Sequence, residues 1–103
     1  MMSNFYQQME KIKNSEGFLD VAGTLKNKEE VRAFLRDIMT PEEMMMYQRR
    51  LQVATLLEAG WTYEAIHKEL HVGMGKISSV KKALDSSGEG YRVVLKRVGR
   101  AIA

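Results

Sequence analysis

The chain has no cysteine anywhere in its 103 residues, which removes disulfides, thiolate metal sites and a cysteine nucleophile together. That absence fits a reducing compartment. No apolar run approaches the roughly 18 residues that a membrane span requires, and the opening MMSNFYQQMEKIK lacks the basic-then-apolar order of a signal peptide. The expectation is a soluble, cytoplasmic protein with no membrane partner. Catalytic constellations are missing too. No nucleophile with an adjacent base, acid–base pair or metal-ligand cluster stands out, which makes an enzyme the weakest functional class. His67 and His71 are four residues apart, but HKELH lacks the H-E-x-x-H order in which a glutamate follows the first histidine, and no third ligand cluster accompanies them. No metal and no cofactor are expected.

What is present is ordinary for one globular domain: 45% hydrophobic and 28% charged residues, over a length that leaves little room for a second core. A chain of this size buries only roughly two-thirds of its unfolded surface, so it often leans on a partner subunit. The net charge of +3 is unevenly spread. From Trp61 onward eight basic residues stand against four acidic ones, whereas the first sixty residues carry eight basic and nine acidic. A basic C-terminal half points to a polyanion as its partner, although a solvated surface alone would also satisfy the charge count.

Apolar residues recur at helical spacing along the whole chain. Phe5, Met9 and Ile12 predict a first helix ending near Asn14, where NSEG breaks it; Phe18, Val21, Ala22 and Leu25 predict a second, interrupted by Gly23. Asn27 and Glu30 have capping-box spacing ahead of the stripe Val31, Phe34, Leu35 and Ile38. These elements read as packing material. At Met39-Thr40-Pro41-Glu42-Glu43-Met44 several start signals coincide: a capping threonine, proline in the first turn, and methionines placed to staple. The helix that begins there should run through Tyr47, Leu51, Ala54, Leu57 and Glu58 to a stop at Gly60. Its Met44-Met45-Met46 run reads as adaptable packing before it reads as a binding surface. Arg49 and Arg50 point to different faces, either solvated or with one of them holding a phosphate or a small anion.

The stretch from Trp61 to Leu84 carries the chemistry. Thr62 caps a short helix, and Trp61 and Ile66 have the spacing of a hydrophobic staple, which makes Trp61 a structural residue ahead of a ligand platform. Apolar residues at 66, 70, 72, 77 and 80 match two helices crossing steeply around a tight turn, the helix-turn-helix pattern. Gly73 and Gly75 would let the second helix approach a groove floor. Met74, Gly75, Lys76, Ser78, Ser79, Lys81 and Lys82 face away from the apolar positions. Met74, Lys76 and Ser78 or Ser79 are the candidates for base readout, and Lys81 and Lys82 for phosphates. The competing reading is a generic helical hairpin with a hydrophilic face. His71 stands where the turn usually has a glycine with positive φ, a conformation histidine visits more readily than most residues, and His67 stands where a small residue often packs between the helices. After the turn DSSGEG, a last amphipathic helix should place Tyr91, Val94, Leu95 and Val98 inward and Arg92, Lys96, Arg97 and Arg100 outward, adding dimer contacts and phosphate charge.

LLEAGWTYEAIHKELHVGMGKISSVKKAL resembles the helix-turn-helix of the Trp repressor family, preceded by a similar Thr-Pro-Glu helix, LRDIMTPEEMMMYQRRLQVATLLEAG; the ending SSGEGYRVVLKRV is similar to the tail of its small YerC/YecD branch, described mostly as uncharacterised regulators. The resemblance covers residues 35–98. It implies an all-α TrpR-like domain of about six helices, an intertwined homodimer, and entry of the helix after the turn into the major groove of double-stranded DNA. It also implies that Met74, Gly75, Lys76 and Ser78 match the base-contacting stretch and His67 a phosphate-side position. In that family tryptophan is held between two arginines beside a glycine. Arg49 matches the first arginine, but Ser79 stands at the second and Val80 at the glycine, and losing a guanidinium while adding two methyl groups should oppose tryptophan.

The expectation is therefore one TrpR-like domain over residues 1–103, with dimerisation helices at 1–39, a core helix at 40–60, the helix-turn-helix at 61–84 and a C-terminal helix at 90–102. Its function would be sequence-specific DNA-binding regulation, as a repressor reading the groove through Met74 to Leu84, with Arg49 the candidate contact for an unknown small-molecule effector. The alternative from another class is a helical protein–protein interaction module without DNA binding.

Overall fold

The computed structural model describes residues 2–102, with side chains from 4 to 100; residues 1 and 103, included in the single-domain boundaries above, lie outside it. The described chain is all α: α1 (Met2–Lys11), α2 (Ser15–Ala22), α3 (Lys28–Ile38), α4 (Pro41–Glu58), α5 (Tyr63–Leu70), α6 (Met74–Ser86) and α7 (Glu89–Ile102). No helix among the described residues is long and apolar enough to cross a membrane. The helices form two compact units, divided in the chain between Thr40 and Pro41.

In the first unit, α2 begins where the sequence suggested only a break. The Asn14 side chain accepts from the Gly17 N–H at 3.0 Å, so NSEG both breaks the helical run after Lys11 and supplies the cap and first turn of α2. Gly17 is buried because the chain doubles back there: a Cβ on it would run into the backbone carbonyl of Lys11. The cap of α3 follows the sequence, with Asn27 Oδ1 accepting from the Glu30 N–H at 2.9 Å; the Glu30 carboxylate reaches one residue further back, to the Lys26 N–H at 2.8 Å. Phe18 and Phe34 meet as tilted rings with centroids 6.3 Å apart. Much of the apolar surface of this unit stays open, with Phe5 at 72% exposure and Leu19 at 58%.

The second unit has a closed core. Val53 and Ala54 of α4, Ile66 of α5, Val72 of the turn, and Ile77, Val80 and Leu84 of α6 are buried together, with Leu57, Leu70, Tyr91 and Leu95 packed around them. Each fully buried aliphatic side chain of this kind contributes roughly 1.5–3 kcal/mol. The helix α4 is central, touching α5, α6 and α7. It ends in a Schellman motif, the Trp61 N–H donating to Leu56 O and the Gly60 N–H to Leu57 O, both at 3.0 Å, with Gly60 at φ +87° where a Cβ would be strained.

Only half of the expected inward face of α7 is covered. Tyr91 and Leu95 pack on the core, whereas Val94 and Val98 are 44% and 50% exposed. Val93, Val94 and Leu95 in sequence make the helix apolar on more than one side, so periodicity alone could not choose which side the core takes.

Candidate nucleic-acid interface

Two helices and a three-residue turn build the site. Thr62 Oγ1 accepts from the Ala65 N–H at 3.1 Å and starts α5 one residue after Trp61, while Ile66, at the staple position, is fully buried. The helix stops at His71, whose backbone is left-handed at φ 55° and ψ 41° and whose N–H donates to His67 O at 2.9 Å. Val72 then drops into the core, and Gly73, extended at φ −70° and ψ 154°, opens α6. The His67 ring braces this turn: Nδ1 donates to the Val72 carbonyl at 2.6 Å. Because a carbonyl only accepts, this bond fixes the proton on Nδ1 and leaves Nε2 as the other ring nitrogen of an exposed residue.

On α6, Ile77, Val80 and Leu84 form one buried seam. At about 3.6 residues per turn, Gly75, Ser78, Ser79 and Lys82 fall opposite that seam, while Lys76 and Lys81 fall on its two flanks. Gly75, Ser78, Ser79, Lys81 and Lys82 are exposed, Met74 is 43% exposed, and Lys76 is half-buried. Lys81 is engaged within its own helix, 3.2 Å from Asp85, a surface pair that contributes little and that a stronger anion can replace. The first turn has neither an acidic residue nor a side-chain cap, and a Cβ on Gly73 or Gly75 would meet nothing within 4 Å. The open side of the helix is thus small-residued at its start and cationic further along.

Arg49, the candidate effector contact, lies on α4 and is half-buried; its Nη1 donates to Gln52 Oε1 at 3.0 Å beside a 170 Å³ depression lined by Met45, Gln48, Arg49 and Gln52. Arg50 lies over the Tyr47 ring at 5.5 Å. Val80, which matches the family's glycine, is in the core, and Ser79 is exposed. The sequence placed Arg92 on the outward face of the last helix, where its side chain is indeed exposed, but not its bonding partners. Its guanidinium bonds α6 and α4 instead of simply facing solvent from α7, and only the fold brings it to Glu58, 34 positions earlier.

The model of the family described as Trp repressor protein matches residues 13–99. The chain is 36% identical over 75 residues to the uncharacterized protein YerC of Bacillus subtilis strain 168, covering 73% of this chain and 72% of that one. No solved structure matches it. The family match takes in α5, the turn and α6 in full. The chain belongs to the Trp repressor family of helical DNA-binding regulators, in its YerC-like branch.

Proposed function

We propose that this protein is a sequence-specific DNA-binding repressor that acts in the cytoplasm as a homodimer and reads the major groove with α6. The observation that carries this reading is the division of α6 into a buried seam and an opposite face of Gly75, Ser78, Ser79 and Lys82, flanked by Lys76 and Lys81. Small residues at the start of that face permit close approach to base edges, and the Met74 side chain suits a thymine methyl group. Lys81 and Lys82 suit phosphates; His67, whose Nδ1 proton is committed to the turn, could donate to a phosphate from Nε2 only as the doubly protonated imidazolium. Membership of a family named for a repressor supports repression over activation.

Homodimerisation accounts for the uncovered apolar surface, and the interaction-module reading has no separate observation in its favour. Phe5, Met9 and Ile12 of the N-terminal stripe and Val31 and Ile38 of α3 are exposed in line with their stripes, as expected for dimerisation helices at 1–39. A second copy covering them would complete one functional domain from the two compact units, with two half-sites about 34 Å apart. Arg49 is the proposed contact for an effector other than tryptophan.

The test is duplex binding against salt for wild type and for the triple variant Lys76→Ala, Lys81→Ala, Lys82→Ala. Wild-type affinity should fall with salt, and the variant should bind weakly, its slope shallower by about 0.9 for each phosphate it no longer neutralises. Salt-insensitive wild-type binding, or equal binding by the variant, overturns the reading.

A further inference from the structure

The guanidinium of Arg92 is shared among three pieces of the second unit. Nη2 donates to the Leu84 carbonyl at 3.0 Å and to Glu58 Oε1 at 3.3 Å, and Nη1 donates to the Ser87 carbonyl at 3.0 Å. Leu84 and Ser87 lie at the end of α6, Glu58 at the end of α4, and Arg92 itself in the first turn of α7. The last turn of α6 has no basic residue of its own, so the cation that favours its carbonyl end comes from the next helix. Gly88 makes room for it. At φ +66° it reverses the chain, and a Cβ there would lie 2.6 Å from the Leu84 carbonyl oxygen and 2.7 Å from Arg92 Nη1.

We propose that Arg92 is a positioning residue for DNA recognition: it locks the C-terminal end of α6 to the end of α4 and so sets the angle at which the reading face is presented. The inference rests on the DNA-binding reading above. Gly75 lies nine residues before Leu84. At a rise of ~1.5 Å per residue, a tilt of ~10° about Leu84 would displace it by roughly 2 Å. Contacts to base edges tolerate about 0.5 Å, so a clamp at the far end of the helix decides whether the near end reads correctly. The Arg92 guanidinium already makes three hydrogen bonds, two of them to backbone carbonyls at the end of α6, which suits it poorly to serve as a phosphate ligand.

The test compares Arg92→Lys, Arg92→Gln and Glu58→Gln with wild type. The probes are a genomic duplex selected by the wild-type protein and an unrelated duplex of equal length, each titrated at several salt concentrations, with helicity and unfolding midpoints measured in parallel. Lysine keeps the charge but not the planar fork. Both Arg92 variants should therefore bind the selected duplex about tenfold more weakly, on the scale of one mismatched base pair, with the salt slope and the binding of the unrelated duplex unchanged. Glu58→Gln should show a smaller loss in the same direction. If Arg92→Lys binds like wild type while Arg92→Gln loses affinity and its slope falls by about 0.9, Arg92 is a phosphate ligand and the proposal is wrong. Wild-type affinity in both Arg92 variants overturns it equally. Should the Arg92 variants fail to fold, Glu58→Ala decides between a selective loss, which supports the clamp, and no loss, which overturns it. A wild-type protein without salt-sensitive duplex binding removes the regulator reading, and this inference falls with it.

Discussion

The two units use similar helices and reach opposite states of closure. In residues 41–102, three helices contribute to a core whose members are at most 7% exposed. In residues 2–40, three helices of 10, 8 and 11 residues have apolar stripes of the same kind, yet Phe5, Met9 and Leu19 remain more than half exposed. The difference lies in what each sequence packs against. In the second unit, Ile66, Ile77 and Val80 gather with Val53 and Ala54 of α4, whereas in the first unit the caps bond only within their own helix starts and α2 meets α3 through the Phe18–Phe34 pair. One unit supplies its own interior; the other presents a surface suited to covering by something else.

The largest test of that contrast is Ile77→Ala, which should cost about 2–5 kcal/mol in urea unfolding, because a fully buried side chain leaves a cavity. Leu19→Ala should cost far less in dilute protein, with a cost that grows with protein concentration as a second copy covers it. Equal, concentration-independent costs at the two positions would break the comparison. Next in size, Phe5→Glu with Met9→Glu should shift sedimentation from dimer to monomer at micromolar protein while leaving the core of the second unit folded; an unchanged dimer would move the interface elsewhere. Smaller again, Gly75→Ala should raise stability by about 0.5–1 kcal/mol, since helices disfavour glycine and a Cβ there meets nothing. It should also weaken duplex binding, so a variant that gains in both stability and affinity would remove the close-approach argument. The smallest expected effect is zero: millimolar tryptophan should leave affinity for a selected duplex unchanged, and a clear increase would restore amino acid sensing.

Much of the second unit was legible because its signals are local. Thr62 starts a helix through its own neighbours, Gly60 stops one through its φ, and the pattern 66, 70, 72, 77 and 80 returned four buried residues and one half-buried. Where the deciding partner was remote or the pattern ambiguous, legibility failed. Asn14 reads rightly as part of a break, but its role as the cap of α2 showed only in its bond to Gly17, and Val94 and Val98 read as inward because α7 is apolar on two sides. Ala54 fell on the expected stripe, but Val53 beside it, also fully buried, did not, because α4 is gripped by helices on more than one side. The candidate interface was legible as a set of exposed residues on one helix, but the half-burial of Lys76 and the commitment of His67 Nδ1 to the turn required the fold.

Gly60, His71 and Gly88, the three left-handed residues just past the ends of α4, α5 and α6, have a kinetic consequence. Gly60 and His71 stop their helices through their own backbone and a nearby carbonyl, the end of α6 also takes the Arg92 guanidinium, and the core they bracket spans residues 53–84. The chain therefore closes short loops to assemble that core, the regime in which helical units fold in microseconds to milliseconds. Assembly of two copies would then follow as a slower second step, its rate set by protein concentration.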